Sequence, residues 1–321
     1  VAITWQYIGP PPLDRVAPLS VTVIDRNDRL LRAFTTTQGH WRLPLAPHEV
    51  DPKYLQILTA FEDRRFRDHW GVDPIAVGRA FFQAIKHRRL VSGGSTLTMQ
   101  VARLLDDEHG RSAARKWRQS VRALQLEKQL TKDQILALYL RLAPFGGNIE
   151  GVRAASLAYL GKEPKRLSLG EAALLVAIPQ SPEARRPDRA PEAARRARDR
   201  VLARALSLGV ISRADHDAAR IERVPHTRRE FPKLAAHLAE SEAEARKTQI
   251  VHRLTIDAQI QAALEQAALD HARPLGQGLS AALLAVDHAT GHVLAHVGSA
   301  GYFDEARGGA NDMTKAVRSP G

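Results

Sequence analysis

The chain has 321 residues, with 47 Lys and Arg against 35 Asp and Glu and a formal charge of +12. That length is ample for a buried core and suggests two domains of roughly 150 residues, and a hydrophobic fraction of 44% excludes general disorder. The absence of Cys excludes a disulfide scaffold, a Cys-based zinc site and a thiol nucleophile, and 5% aromatics argues against base stacking on single-stranded nucleic acid.

In chain order, residues 19–34 alternate apolar and polar around Val21, Val23 and Asp25, which predicts a strand and turn. Asp51-Pro52 is an N-cap followed by Pro at the first helical position, and Leu55, Leu58 and Phe61 continue one face. Asp73-Pro74 repeats the device before an apolar run to Phe82. Ser92-Gly93-Gly94-Ser95 breaks that run, and Leu97 to Leu105 resumes a helix. A long helix follows with Trp117, Val121 and Leu124 on one face, which places Trp117 in the core. Thr131 with Gln134 and Ser168 with Glu171 make capping boxes for Ile135–Leu142 and Ala172–Ile178. Pro144-Phe145-Gly146-Gly147 closes the first of these segments and Pro179 the second.

Residues 212–248 are charged and weakly periodic, with Pro225 and Pro232, which suits a linker. Beyond them Asp257–Asp270 reads as a helix. Ala281–Val286 and His292–Val297 read as a hairpin around Asp287-His288-Ala289-Thr290-Gly291. The expected fold is mainly α, followed by a truncated α+β domain. No apolar run approaches the roughly 20 residues a bilayer requires. The chain reads as cut at both ends, starting at Val1 without Met and stopping at Arg318-Ser319-Pro320-Gly321.

Four blocks carry candidate chemistry. Glu62-Asp63-Arg64-Arg65-Phe66-Arg67-Asp68-His69-Trp70-Gly71 crowds acids, Arg and His at the end of an apolar helix, where a carboxylate beside Phe61 and Phe66 can act as general base. The plain alternative is a helix end laced with salt bridges. Gly93-Gly94-Ser95-Thr96-Leu97-Thr98-Met99-Gln100, with Arg103 beyond it, puts glycines, hydroxyls and a helix start where a phosphate could sit. It lacks the Gly-Lys-Ser/Thr ending of a P-loop. Arg115-Lys116-Trp117-Arg118-Gln119 fills one helical turn with polar groups that suit an anionic leaving group or a wet surface. Lys132 to Leu140, running into Phe145-Gly146-Gly147-Asn148, looks structural. The basic runs Lys86–Arg89, Arg111–Arg122 and Arg185–Arg204 fit either solvated helix faces or a partner carrying phosphates.

Taken together, the order and spacing of these blocks resemble glycosyltransferase family 51, the peptidoglycan glycosyltransferases of bacterial class A penicillin-binding proteins. The resemblance covers roughly Pro47 to Pro187. Thr255-Ile256-Asp257-Ala258-Gln259-Ile260-Gln261, the hairpin ending Val297-Gly298-Ser299, and Arg318-Ser319-Pro320-Gly321 resemble the opening of a penicillin-binding transpeptidase domain. In that family the nucleophilic Ser follows this last motif directly, so transpeptidase activity is not expected of this stretch. Gln119, with residues 122–127 and 143–147, is similar to the penicillin-binding protein 1C subgroup.

The resemblance implies a lysozyme-like helical glycosyltransferase domain over residues 47–210, with its base in a cleft. It assigns 1–46 to a strand and linker region after a membrane anchor, 211–250 to a linker, and 251–321 to the first part of the transpeptidase domain. It implies polymerisation of lipid II into glycan strands with inversion and expulsion of undecaprenyl pyrophosphate. Glu62 matches the general base, and Gln119 stands where the family usually carries a second catalytic Glu. Asp63, Phe66 and His69 match positions that shape the site; Ser95, Thr96 and Gln100 match the donor-site lining. Arg103, where many members have Lys, and Arg115 and Lys116 match cations that stabilise the departing pyrophosphate. A divalent cation such as Mg2+ is admitted at the leaving group, although no protein-only metal site is visible. The implied partners are lipid II, the growing strand, the membrane surface and other cell-wall enzymes, not nucleic acid. The implied location is the bacterial inner membrane, through a single-pass anchor, with catalytic domains in the periplasm. Phe81-Phe82-x-x-Ile85, with Lys86, Arg88 and Arg89, suits a segment dipping into headgroups. Two other classes stay open: a lysozyme-like hydrolase or lytic transglycosylase, and a catalytically weak scaffold.

Overall fold

A computed structural model describes residues 8–13, 18–79, 95–106, 112–276 and 278–317. The expected headgroup-dipping segment at 81–89, Gly93-Gly94 and Arg318–Gly321 lie outside the described residues. In chain order the elements are β1 (Thr22–Ile24), β2 (Leu30–Ala33), β3 (Trp41–Arg42), α1 (Pro52–Glu62), α2 (Leu97–Leu105), α3 (Ala113–Gln129) and α4 (Lys132–Leu142). There follow β4 (Pro144–Gly146), β5 (Ile149–Glu150), α5 (Val152–Ala155), α6 (Leu169–Ala177), α7 (Pro191–Ser207) and α8 (Arg213–Ile221). The last are α9 (Ala236–Ala245), β6 (Val251–Arg253), α10 (Ala258–Ala272), β7 (Leu283–Val286) and β8 (Val293–Val297). Residues 74–79 are also helical.

The described chain forms two compact units, one from residues up to 18 with 39–229, the other from 19–38 with 230 onward. The first is mainly α, as expected. Its centre is α6, whose residues from Ala172 to Ala177 are all buried. A helix apolar on every side must be surrounded, and α1, α7 and α8 pack around it. The capping signals place these helices well: Asp51 accepts the Lys53 N–H at 2.9 Å, and capping boxes form at Thr131/Gln134 and Ser168/Glu171. A small sheet joins β3 parallel to β5 and β5 antiparallel to β4.

Three expectations are corrected. Residues 211–250 are not a plain linker. Ser212 and Asp215 form a capping box that starts α8, and α8 packs on α6 and α7; α9 belongs to the second unit. Residues 1–46 do not form one region either. The β1–β2 hairpin lies in the second unit, where β1 runs parallel to β6 with Thr22 opposite Val251. That pairing satisfies the edge of a two-stranded ribbon with a strand some 230 residues away, which local patterning cannot register. Trp117 is half-exposed, because α3 buries Arg122, Ala123, Gln125 and Leu126 instead.

In the second unit Val23, Leu31, Ala239 and Ile256 form the core. Buried Asp25 ties its parts together, accepting from the Asn27, Arg29 and Ala258 amides and from Arg29 Nε. The β7–β8 hairpin forms as expected.

Candidate active site

Glu62 is the last residue of α1. Asp63 turns the chain out of the helix (φ −155°) and leaves the Glu62 side chain at the helix end. Each carboxylate oxygen accepts one side-chain amide: Gln180 Nε2 donates to Oε1 at 2.7 Å and Gln100 Nε2 to Oε2 at 2.8 Å. Burial raises the Glu62 proton affinity above the ordinary value of 4.5. The two amides and the charges of Arg103 and Arg185 offset that rise only in part. A carboxylate that is oriented by neutral donors and holds protons more tightly than usual is suited to general-base work.

Behind it, Asp63 does something different. It is buried and accepts His69 Nε2 at 3.0 Å and the Leu97 amide at 2.9 Å. His69 Nδ1 accepts the Gly71 amide at 3.1 Å, so Nε2 carries the hydrogen given to Asp63. Gly71 has φ +88°, and a Cβ there would lie 2.7 Å from the Ala123 backbone, so only glycine fits. Thr96 caps α2 by accepting the Met99 amide and donates to the Gly71 carbonyl at 2.5 Å. Phe66 is buried, with Lys132 Nζ 4.7 Å from its ring centre; Lys132 also donates to the His69 carbonyl and to Glu127.

These contacts correct one expectation. At the start of α2 the Leu97 amide goes to Asp63 and the Met99 amide to Thr96, so neither is free for a phosphate. Asp63 and Thr96 fasten the start of α2 to the end of α1 and the loop after it, while His69 bonds to Asp63 and Phe66 lies against His69 and Lys132.

Gln100 reaches Glu62 directly and Arg103 acts on it by charge. Ser95 is half-buried just before the cap. Arg115, Lys116 and Gln119 lie in the first two turns of α3, where Ser112 caps the helix through the Arg115 amide. The charges that act most on Glu62 are those of Arg103 and Arg185, not Arg115 or Lys116.

Four residues near Glu62 escaped the sequence reading. Gln180 holds it, and Arg185 Nη1 donates to the Gln180 Oε1 at 2.9 Å and to the Ala177 carbonyl at 2.7 Å. In the sequence Pro179 marks only the end of a helix; a polar Gln directly after an otherwise apolar helix is the available signal. Among the described residues the buried hydroxyls of Tyr54 and Tyr139 have no hydrogen-bond partner. Burial, and then the nearby Glu62 charge, raises the Tyr54 proton affinity; for Tyr139 the order is burial, Tyr54, then Glu62. Tyr139 lies in the Lys132–Leu140 block that the sequence marks as structural.

Among the described residues no three His, Asp or Glu side chains are placed to hold a metal ion.

A model of the transglycosylase family matches residues 27–206. The chain belongs to this family. Among curated relatives it is 44% identical over 314 residues to penicillin-binding protein 1C of Escherichia coli, an alignment covering 98% of this chain and 40% of that protein. It is 34% identical over 269 residues to penicillin-binding protein 1A of Vibrio cholerae, covering 78% of this chain and 31% of the relative. The crystal structure of penicillin-binding protein 1A from Haemophilus influenzae covers 85% of this chain at 19% identity, with a TM-score of 0.38. This transglycosylase-family chain thus spans 40% or less of the length of these penicillin-binding relatives, and it is of the class A, 1C type.

Proposed function

We propose that the first unit is a peptidoglycan glycosyltransferase that polymerises lipid II into glycan strands, with Glu62 as general base. The observation that carries this reading is the Glu62 carboxylate, its two oxygens held by Gln100 and Gln180 and its proton affinity raised by burial. An alcohol attacks poorly, so a base must take its proton as the new bond forms. Glu62 takes that proton from the acceptor's sugar hydroxyl while the oxygen attacks the anomeric carbon of the lipid-linked donor. The bond from that carbon to the diphosphate oxygen breaks, and inversion follows from attack on the opposite face. Negative charge then grows on the leaving diphosphate. Arg103 supplies a fixed cation close to Glu62, and Arg115 and Lys116 would meet the diphosphate farther along.

A hydrolase working through paired carboxylates would need a second acid at short range. The adjacent acid, Asp63, is committed to His69 and the Leu97 amide, and position 119 carries Gln. Incubation with labelled lipid II tests the choice. Polymer that disappears in Glu62→Gln supports the transferase, whereas sugar released from preformed glycan overturns it.

The same reading makes the second unit the first part of a penicillin-binding transpeptidase domain and gives the whole protein an inner-membrane anchor with periplasmic domains. The kinship with class A penicillin-binding proteins supports both. Among the described residues no helix is long and apolar enough to cross a membrane.

A further inference from the structure

The end of α3 carries a carboxylate that the chemistry at Glu62 does not use. The Glu127 side chain is only 5% exposed, and a carboxylate taken that far from water destabilises the fold unless donors meet it. Two donors converge on its Oε1. The Thr98 hydroxyl reaches it at 2.6 Å from the second position of α2, and Lys132 Nζ at 2.6 Å from the first position of α4. Glu127 thereby joins three helices. Lys132 also donates to the His69 carbonyl at 2.6 Å and lies over the Phe66 ring, so the loop after α1 is held by the same cluster.

Thr98 is the informative member. It is fully buried, where an apolar side chain would fill α2 with better helix propensity and no polar group to satisfy. Its hydroxyl leaves α2 for Glu127 instead. Two residues farther on, Gln100 donates to Glu62 Oε2 at 2.8 Å. Residues two apart project about 200° from each other around a helix axis, on opposite faces. One face of α2 is therefore anchored to α3 while the other meets Glu62. Arg103 shares the Gln100 face at a spacing of three residues and acts on Glu62 by its charge.

We propose that Thr98 and Glu127, with Lys132 behind them, are positioning residues for the base: they fix the rotation of α2 and so the places of Gln100 and Arg103 beside Glu62. The proposal rests on the reading of Glu62 as general base. Its consequence for Glu62 has a definite sign. Burial raises the Glu62 proton affinity, and Gln180, Gln100, Arg103 and Arg185 lower it. The other titratable groups that feel its charge are Tyr54 on its own helix and Tyr139 on α4, and burial keeps both protonated. Turning α2 away withdraws two of the four lowering groups, so Glu62 should hold its proton more tightly.

The test uses Thr98→Val in the intact chain, which removes the hydroxyl and keeps the volume. The acid limb of the pH–rate profile for lipid II polymerisation should move upward by about 0.5 pH unit or more, as expected when a hydrogen bond to a carboxylate weakens. A carbon-13 titration of the Glu62 carboxyl, its resonance identified by its loss in Glu62→Gln, should move with it. Thr98→Ser restores the hydroxyl and should return both midpoints to the parent values. Glu127→Gln keeps an acceptor oxygen without the charge, and should move both midpoints the same way by less; it carries the test if Thr98→Val does not fold. A purely structural role would lower Tm in these variants and leave both midpoints in place, which overturns the proposal. So does a shift that Thr98→Ser fails to reverse. Failure of the Glu62 reading is seen separately, as no polymer from the parent or undiminished polymer from Glu62→Gln, while the carboxyl titration still reports on Thr98.

Discussion

Glu62 and Asp63 are adjacent carboxylates with opposite surroundings. Glu62 meets two neutral side-chain amides and the field of two arginines, and burial raises its proton affinity. Asp63 points into the unit, where His69 and the Leu97 amide fasten the end of α1 to the start of α2. The difference teaches that one residue's step along a helix end separates a carboxylate held by side-chain amides of distant segments from one that holds the scaffold.

The largest expected effect breaks the pair at Glu62. Glu62→Gln should lower lipid II polymerisation by about 100- to 10,000-fold, the contribution of a positioned general base, read by labelled product. Its stability should move the other way. In the parent the Glu62 proton affinity is raised in the folded chain. The folded state therefore loses stability as pH rises from the ordinary value of 4.5 through the higher folded one. Glu62→Gln removes that loss, so melts above this window should show the variant equal to or more stable than the parent, with the difference vanishing in acid.

Asp63→Asn should do the reverse and cost stability. Exchanging a charged acceptor for an amide weakens the buried bonds from His69 and Leu97 by about 2 kcal/mol, lowering Tm by roughly 4–8 °C. Gly71→Ala probes the same support from the other side. It forces a side chain into positive φ against the Ala123 backbone and should cost about 1–3 kcal/mol. If Asp63→Asn left Tm unchanged while abolishing polymer, the division of roles between the two acids would fail.

A smaller effect sharpens the comparison. Gln100 and Gln180 favour the charged form of Glu62. Gln180→Ala and Gln100→Ala should therefore raise its proton affinity and move the acid limb of the pH–rate profile upward, with full rate approached at higher pH. Arg185→Gln should shift the limb in the same direction by less. The smallest effect is expected for Gln119→Glu, since Arg103 and Arg185 rather than the start of α3 dominate the field at Glu62. A large gain in rate would show that residue 119 acts on the reaction directly.

Much of the fold was legible because helix ends are written locally. Asp51-Pro52, Thr131 with Gln134 and Ser168 with Glu171 satisfy orphan amides within four residues of themselves, and the helices begin where those residues say. Glu62 and Gln100 were legible through the order and spacing of their blocks. Gln180 and Arg185 were not, because they reach Glu62 across more than a hundred residues and sit in a segment whose local signals mark only a helix end.

By itself the sequence determined where helices start, that acids crowd the end of α1, and that a large cationic excess needed either water or an anion. Only the tertiary structure decided which of two neighbouring carboxylates meets the amides of distant segments and which is locked inside. It alone showed that the 19–38 hairpin belongs with residues after 230. The reason is physical: caps and periodicity act within a turn or two of the chain, whereas burial, strand pairing and charge compensation depend on groups that approach only when the chain has folded.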